Sequence, residues 1–219
     1  MFFKNQLMKK IILCAATVLL TVMAKAAETN SVADAAEAKY TAAIESRTAA
    51  ILTILNLSDT NQAVKVHDTI IAQYRSLNTW HEANDAKLKA VKSDTNAVAQ
   101  IRATLKTLHN EFLTRLAENL TPEQIEQVKD KMTYGKVQFT FKGYTLEYPD
   151  LTDGQKAEVL RLLKEAREEA MDAGSADEKS AVFNRYKGKI NNYLSKQGVH
   201  PARAKAKPAP PATNSVPQP

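Results

Sequence analysis

Apolar residues recur along this chain at steps of three and four, the spacing of helices that bury one face. From Ser31 to Asn56 the recurring positions are Val32, Ala36, Tyr40, Ala43, Ile44, Ile51 and Leu55. Ser58 then offers an N-cap and Asp59 an acidic first turn. The helix that follows carries Val64, Ile70, Ile71, Tyr74, Leu77 and Trp80, and either breaks near Asn78 or continues through Leu88 and Val91. Ser93-Asp94 is a short connection into a third helix built on Val98, Ile101, Leu105, Leu108, Phe112, Leu113 and Leu116.

The signals sharpen at Leu120. Thr121-Pro122-Glu123-Gln124 forms a capping box with proline at the first helical position, and Thr152-Asp153-Gly154-Gln155 repeats the box. Ile125, Val128 and Met132 mark the buried face behind the first box. Val159, Leu160, Leu163, Ala166, Ala170 and Met171 do so behind the second. Gly174 is expected to end that helix in the left-handed conformation, and Gly198 to end a last helix carrying Phe183, Tyr186, Ile190, Tyr193 and Leu194. Between the boxes, Thr133–Asp150 departs from the pattern. Val137, Phe139 and Phe141 alternate with polar residues as in a strand, yet no second strand is present to pair with them. This stretch is expected to be an ordered aromatic connection containing a short helical turn or a small hairpin. The pattern as a whole predicts one all-α domain over residues 27–200, with five or six helices and one irregular aromatic segment.

The two ends read differently. Lys4, Lys9 and Lys10 precede an apolar run from Ile11 to Met23, and Ala24-Lys25-Ala26 supplies small residues at the positions a signal peptidase reads. A signal peptide cleaved after Ala26 is expected, and with it an exported protein, periplasmic or extracellular. A lipoprotein signal through Cys14 is disfavoured because Leu13 stands where a small residue is wanted. Cleavage removes the only cysteine, so packing alone must hold the domain together. No later run is long and apolar enough to span a bilayer. Residues 201–219, rich in proline, alanine and lysine, cannot offset the entropy of ordering and are expected to be a disordered tail.

Charge narrows the partners. The chain carries +6, but four lysines lie in the signal, and Arg203, Lys205 and Lys207 lie in the tail. The folded body is therefore close to neutral and lacks the clustered basic face that nucleic acid requires.

Candidate chemistry is sparse. His67, His81, His109 and His200 fall in different elements without metal-ligand spacing, so no metal site and no cofactor are expected. No nucleophile motif and no glycine-rich phosphate loop is present, which argues against an enzyme. Glu165, Glu168, Glu169 and Asp172 interleave with Lys164 and Arg167 at helical spacing, as on a solvated, salt-bridged face. The sequons at Asn56 and Asn119 overlap helix caps and are read as cap chemistry. The last helix is the best place for a binding site. Arg185, Tyr186, Lys187, Asn191 and Asn192 combine planar hydrogen-bonding groups with an aromatic face, and Tyr134 is expected beside them. Asn191 or Asn192 is expected to hold the backbone of the aromatic segment, with Gly188 allowing its close approach.

Three runs carry a family resemblance: VKDKMTYG at 128–135, EAREEAMDAGS at 165–175 and YKGKINNYLSKQG at 186–198. In this order they resemble the bacterial exported family called domain of unknown function 3826. The resemblance implies an exported carbohydrate-binding protein and transfers no catalytic residue. The LT-x-x-Q stretches at Leu120 and Leu151 also resemble the periplasmic chaperones of the Spy type. The expected function is non-enzymatic binding, of carbohydrate or of an exported glycan-processing partner, with a helical chaperone or stress protein as the alternative.

Overall fold

The computed structural model describes residues 34–202, and the expected signal peptide, Cys14 and most of the proline-rich tail lie outside them. The described residues form an all-α protein without strands. Helix α1 covers 34–55, α2 Thr60–Ala90, α3 Thr95–Ala117, α4 Pro122–Met132, α5 Lys136–Glu147, α6 Asp153–Met171 and α7 Ala176–Lys196. None of them is long and apolar enough to cross a membrane. The chain divides into two compact units, Met1–Ala49 and Ala50–Pro219. In the first, residues 34–49 are helical throughout. The candidate site lies entirely in the second.

Helix starts follow local chemistry. Both capping boxes close reciprocally. Thr121 Oγ1 accepts from the Gln124 amide at 3.3 Å, and Gln124 Oε1 accepts from the Thr121 amide at 3.0 Å. The equivalent bonds between Thr152 and Gln155 are 3.2 and 2.9 Å. Helix α2 is capped by Asp59 rather than Ser58: the Asp59 carboxylate accepts from the amides of Asn61 and Gln62, at 2.7 and 3.3 Å. It then runs past Asn78 without a break.

Two apolar clusters hold the second unit together. One gathers Ile51, Leu55, Val66, Ile70, Phe112, Leu116, Val128 and Met132 from α1 to α4. The other gathers Val137, Tyr144 and Tyr148 of the aromatic segment with Val159, Leu163 and Ala166 of α6 and Phe183, Ile190 and Leu194 of α7. Helix α6 serves both, because its Met171 belongs to the first cluster. Each fully buried side chain such as Leu163 contributes about 1.5–3 kcal/mol of transfer free energy.

The aromatic segment is a helix, not an irregular connection or a hairpin. In α5 the buried positions are Val137, Thr140 and Tyr144, followed by Tyr148 just beyond its end, at steps of three and four. The apparent alternation arose from Phe139, which is 81% exposed and points away from the core. A lone strand would leave its ladder unpaired, whereas a helix satisfies its backbone internally and still buries two tyrosines. Tyr134 and Gly135, with φ of 60° and 63°, together turn the chain from α4 into α5. A left-handed tyrosine is uncommon, and the following glycine shares the turn at no steric cost.

The other glycines revise two expectations. Gly198 ends α7 at φ 70°, as expected. Gly174 does not adopt positive φ; a Cβ there would lie 3.0 Å from the His81 ring, so its role is close approach. At Gly188 an added Cβ would meet nothing within 4 Å, so no close approach requires the glycine.

Alanine at Thr121 or at Thr152 should each lower unfolding free energy by about 1 kcal/mol. Denaturant titration of the two single variants checks this; unchanged midpoints in both would refute the caps' contribution.

Candidate functional site

A helix leaves its last carbonyls without intrahelical partners, and its C-terminus is the negative end of the macrodipole. Helix α6 adds Glu168, Glu169 and Asp172 at that same end, the least favourable place for acids. Cations from three other helices compensate. Lys179 of α7, itself buried, donates to the carbonyls of Ala170 and Met171 at 2.8 and 3.2 Å. His81 of α2 donates through Nε2 to the Asp172 carbonyl at 2.7 Å. His109 of α3 donates through Nδ1 to the Asp172 carboxylate at 3.0 Å, and its Nε2 lies 3.5 Å from Glu168.

The second nitrogen of His81 meets Asp85 at 2.9 Å. Each imidazole thus faces an acceptor on both nitrogens and is satisfied only when both carry protons. The pKa values follow. Hydrogen bonds to Asp172 and then Glu168 outweigh burial and push His109 up to about 9. Burial alone would lower His81, but the Asp172 carbonyl and Asp85 prevail and raise it. Burial would raise Glu168, yet His109, Lys129 and Arg167 together bring it down to about 2. Asp172 is raised by burial, against the opposing pull of His109.

The network continues behind the histidines. Glu168 meets Lys129 of α4 at 2.9 Å. Arg167, nearly inaccessible, bonds Asp130 at 2.6 Å and Glu126 at 2.8 Å, which joins α4 to α6. The expected solvated face therefore holds only in part. Glu165 pairs with exposed Arg161, but Arg167, Glu168 and Asp172 are inter-helix ties.

Above this network, the α2–α3 and α6–α7 hairpins enclose an open groove of about 650 Å³. Its apolar lining comes from Trp80, Leu88, Leu105, Ala181 and Val182. Trp80 is fixed by a 2.8 Å hydrogen bond from Nε1 to Thr104 and stands edge-on to His81. Polar groups surround this lining: Asp85 on α2, Arg102, Lys106 and Asn110 on α3, Glu169 on α6, and Glu178 and Arg185 on α7.

The residues expected to form one site are divided between two flanks of α7. Arg185 faces the groove and pairs with Glu169. Tyr186 is buried, with the Lys189 ammonium 3.9 Å from its ring centre. Lys187 lies two residues past Arg185, about 200° around the helix. Its carbonyl and the Asn191 side chain both accept from the Tyr144 hydroxyl, at 3.2 and 2.7 Å. Asn191 therefore meets the aromatic segment through a side chain rather than through backbone. Asn192 is exposed, and Tyr134 is half-exposed at the α4–α5 turn; neither lines the groove, nor does Lys187.

The histidine pair was missed because its partners are remote: His81 and Asp172 are 91 residues apart, His109 and Asp172 63. Two local signals pointed that way. Acids at the end of a predicted helix demand a cation from elsewhere. Asp85 also lies one turn after His81, within reach of its ring.

Stability should fall with rising pH. A folded pKa above the unfolded 6.5 means that the His109 contribution is complete below about 6.5 and lost as pH rises through about 9. The groove side is open to water, so the loss should be on the order of 1–2 kcal/mol. Thermal melts across this range should show the decline, and His109→Gln should flatten it. Equal slopes in both proteins would refute the assignment.

No curated protein matches this chain. The model of the family described as protein of unknown function, DUF3826, matches residues 41–207, which include all three runs that carried the resemblance. The Asp130, Arg167, Glu168, Asp172 and Gly174 of the α6 network lie in those runs, and the chain belongs to the DUF3826 family.

Proposed function

We propose that this protein is an exported, non-enzymatic binding protein whose groove between the α2–α3 and α6–α7 hairpins takes a carbohydrate. The observation that carries the reading is the lining itself. Apolar surface from Leu88, Leu105 and Val182 lies beside planar hydrogen-bonding groups from Asp85, Asn110, Glu169 and Arg185. A sugar offers matching surfaces, with C–H faces for the apolar strip and hydroxyls for the amide, guanidinium and carboxylates.

Pairing favours binding over catalysis. Asp85 is held by His81, Asp172 by His109, Glu169 by Arg185, and Glu168 by Lys129 and Arg167. Carboxylates so committed are preorganised acceptors and poor proton shuttles. A glycan-processing protein is a further partner consistent with this reading. The chaperone alternative draws on Phe139 and Leu146, 81% and 72% exposed on the outer face of α5. Two side chains make a smaller apolar patch than client capture uses.

The test is a glycan array probed with the full chain and with Ala181→Phe, a substitution at an exposed groove position that would fill the cleft. Wild-type binding to at least one glycan class should be lost in Ala181→Phe and retained in Lys187→Ala. Binding that survives Ala181→Phe would move the site elsewhere; no binding to any glycan would overturn the carbohydrate reading.

A further inference from the structure

We propose that the ligand of this groove is an acidic saccharide, whose carboxylate is seated on Arg102 and Lys106 of α3. The inference rests on the groove being a carbohydrate site and adds the ligand's charge and its orientation.

The argument starts from which charges are already spent. Asp85, Glu168, Glu169 and Asp172 each meet a cation, and Glu178 accepts from the Gly174 amide at 2.8 Å. Arg102 and Lys106 differ: they line the same groove, yet among the described residues neither makes an ion pair or a hydrogen bond. Unpaired surface cations are ordinary when they point into bulk water. These two lie one helical turn apart, so their side chains share a face of α3. They also flank Leu105, part of the apolar lining. A ring lying against Leu105 would put a substituent between a planar guanidinium and an ammonium, a donor set suited to a carboxylate.

The opposite wall sets the direction. Glu169 of α6 and Glu178 of α7 present acceptors there, as does Asp85 at the α2 edge. They would repel an anion and accept from hydroxyls. The groove's unpaired cations thus lie along α3, while on α6 and α7 the one cation that lines it, Arg185, is already paired with Glu169. An acidic sugar satisfies both walls at once; a neutral one leaves the α3 cations unused.

Trigalacturonate and its methyl ester test this, because they differ in charge and little in shape. Binding to the full chain can be followed by calorimetry and by the emission of Trp80, the chain's one tryptophan. Trigalacturonate should bind at least about tenfold more tightly than the ester. The Arg102→Gln/Lys106→Gln double variant, altered only at exposed positions, should erase that difference. Equal affinities for acid and ester would overturn the acidic ligand and leave the carbohydrate reading standing. A preference for the acid that survives the double variant would overturn the assignment to Arg102 and Lys106. If neither acid nor ester binds, this inference is overturned, while the carbohydrate reading is decided separately by the glycan array.

Discussion

The C-terminus of α6 is the point on which the second unit depends. A helix that ends in acids beside its own free carbonyls needs positive charge, and it receives Lys179, His81 and His109 from α7, α2 and α3. Asp172 is the junction, since its carbonyl and its carboxylate each hold one histidine. Removing one partner from such a partly buried set leaves the other charge uncompensated, at a cost below the ~3–5 kcal/mol of a fully buried pair. The arrangement also fixes geometry. A hydrogen bond from each helix of one hairpin to a single residue of the other leaves little freedom in how the two meet. Gly174 is part of this constraint, because a side chain there would push against the His81 ring.

Helix starts and apolar faces were legible because they are local. A capping box is written in four consecutive residues, and both boxes form as their residues imply. Two of the places where local reasoning failed have identifiable physical causes. At α5, Phe139 imitated a period of two because a large apolar residue stands on the solvent side. The true face passes through Thr140, a polar residue that hydrophobic pattern does not score. At α2, Ser58 and Asp59 are both competent caps, and geometry chose the carboxylate that reaches two amides.

The site was less legible because it is made of long-range pairs. On its own, each histidine looks like an ordinary polar residue on a helix. The acids of α6 look like a solvated face until the burial of Arg167 is known. The final helix shows the opposite error. Arg185, Lys187 and Asn191 are close in sequence and were grouped for that reason, but helical rotation sends Arg185 to the groove and Asn191 to Tyr144. The asparagine's role is to satisfy a tyrosine hydroxyl at the α5–α7 contact.

Structural obligation and binding chemistry are coupled in this fold. The cations recruited to close α6 also neutralise Asp172 and Glu168, and Arg185 does the same for Glu169 on the groove wall. The groove's acids are therefore held in place, available as acceptors. Helix α3 contributes its own cation to the closure through His109, three residues beyond Lys106. The cations further along that face, Arg102 and Lys106, have no such duty. The asymmetry of unpaired charge in the groove follows from this division: along α6 the charges answer to the helix end, and along α3 two of them answer to nothing in the described protein.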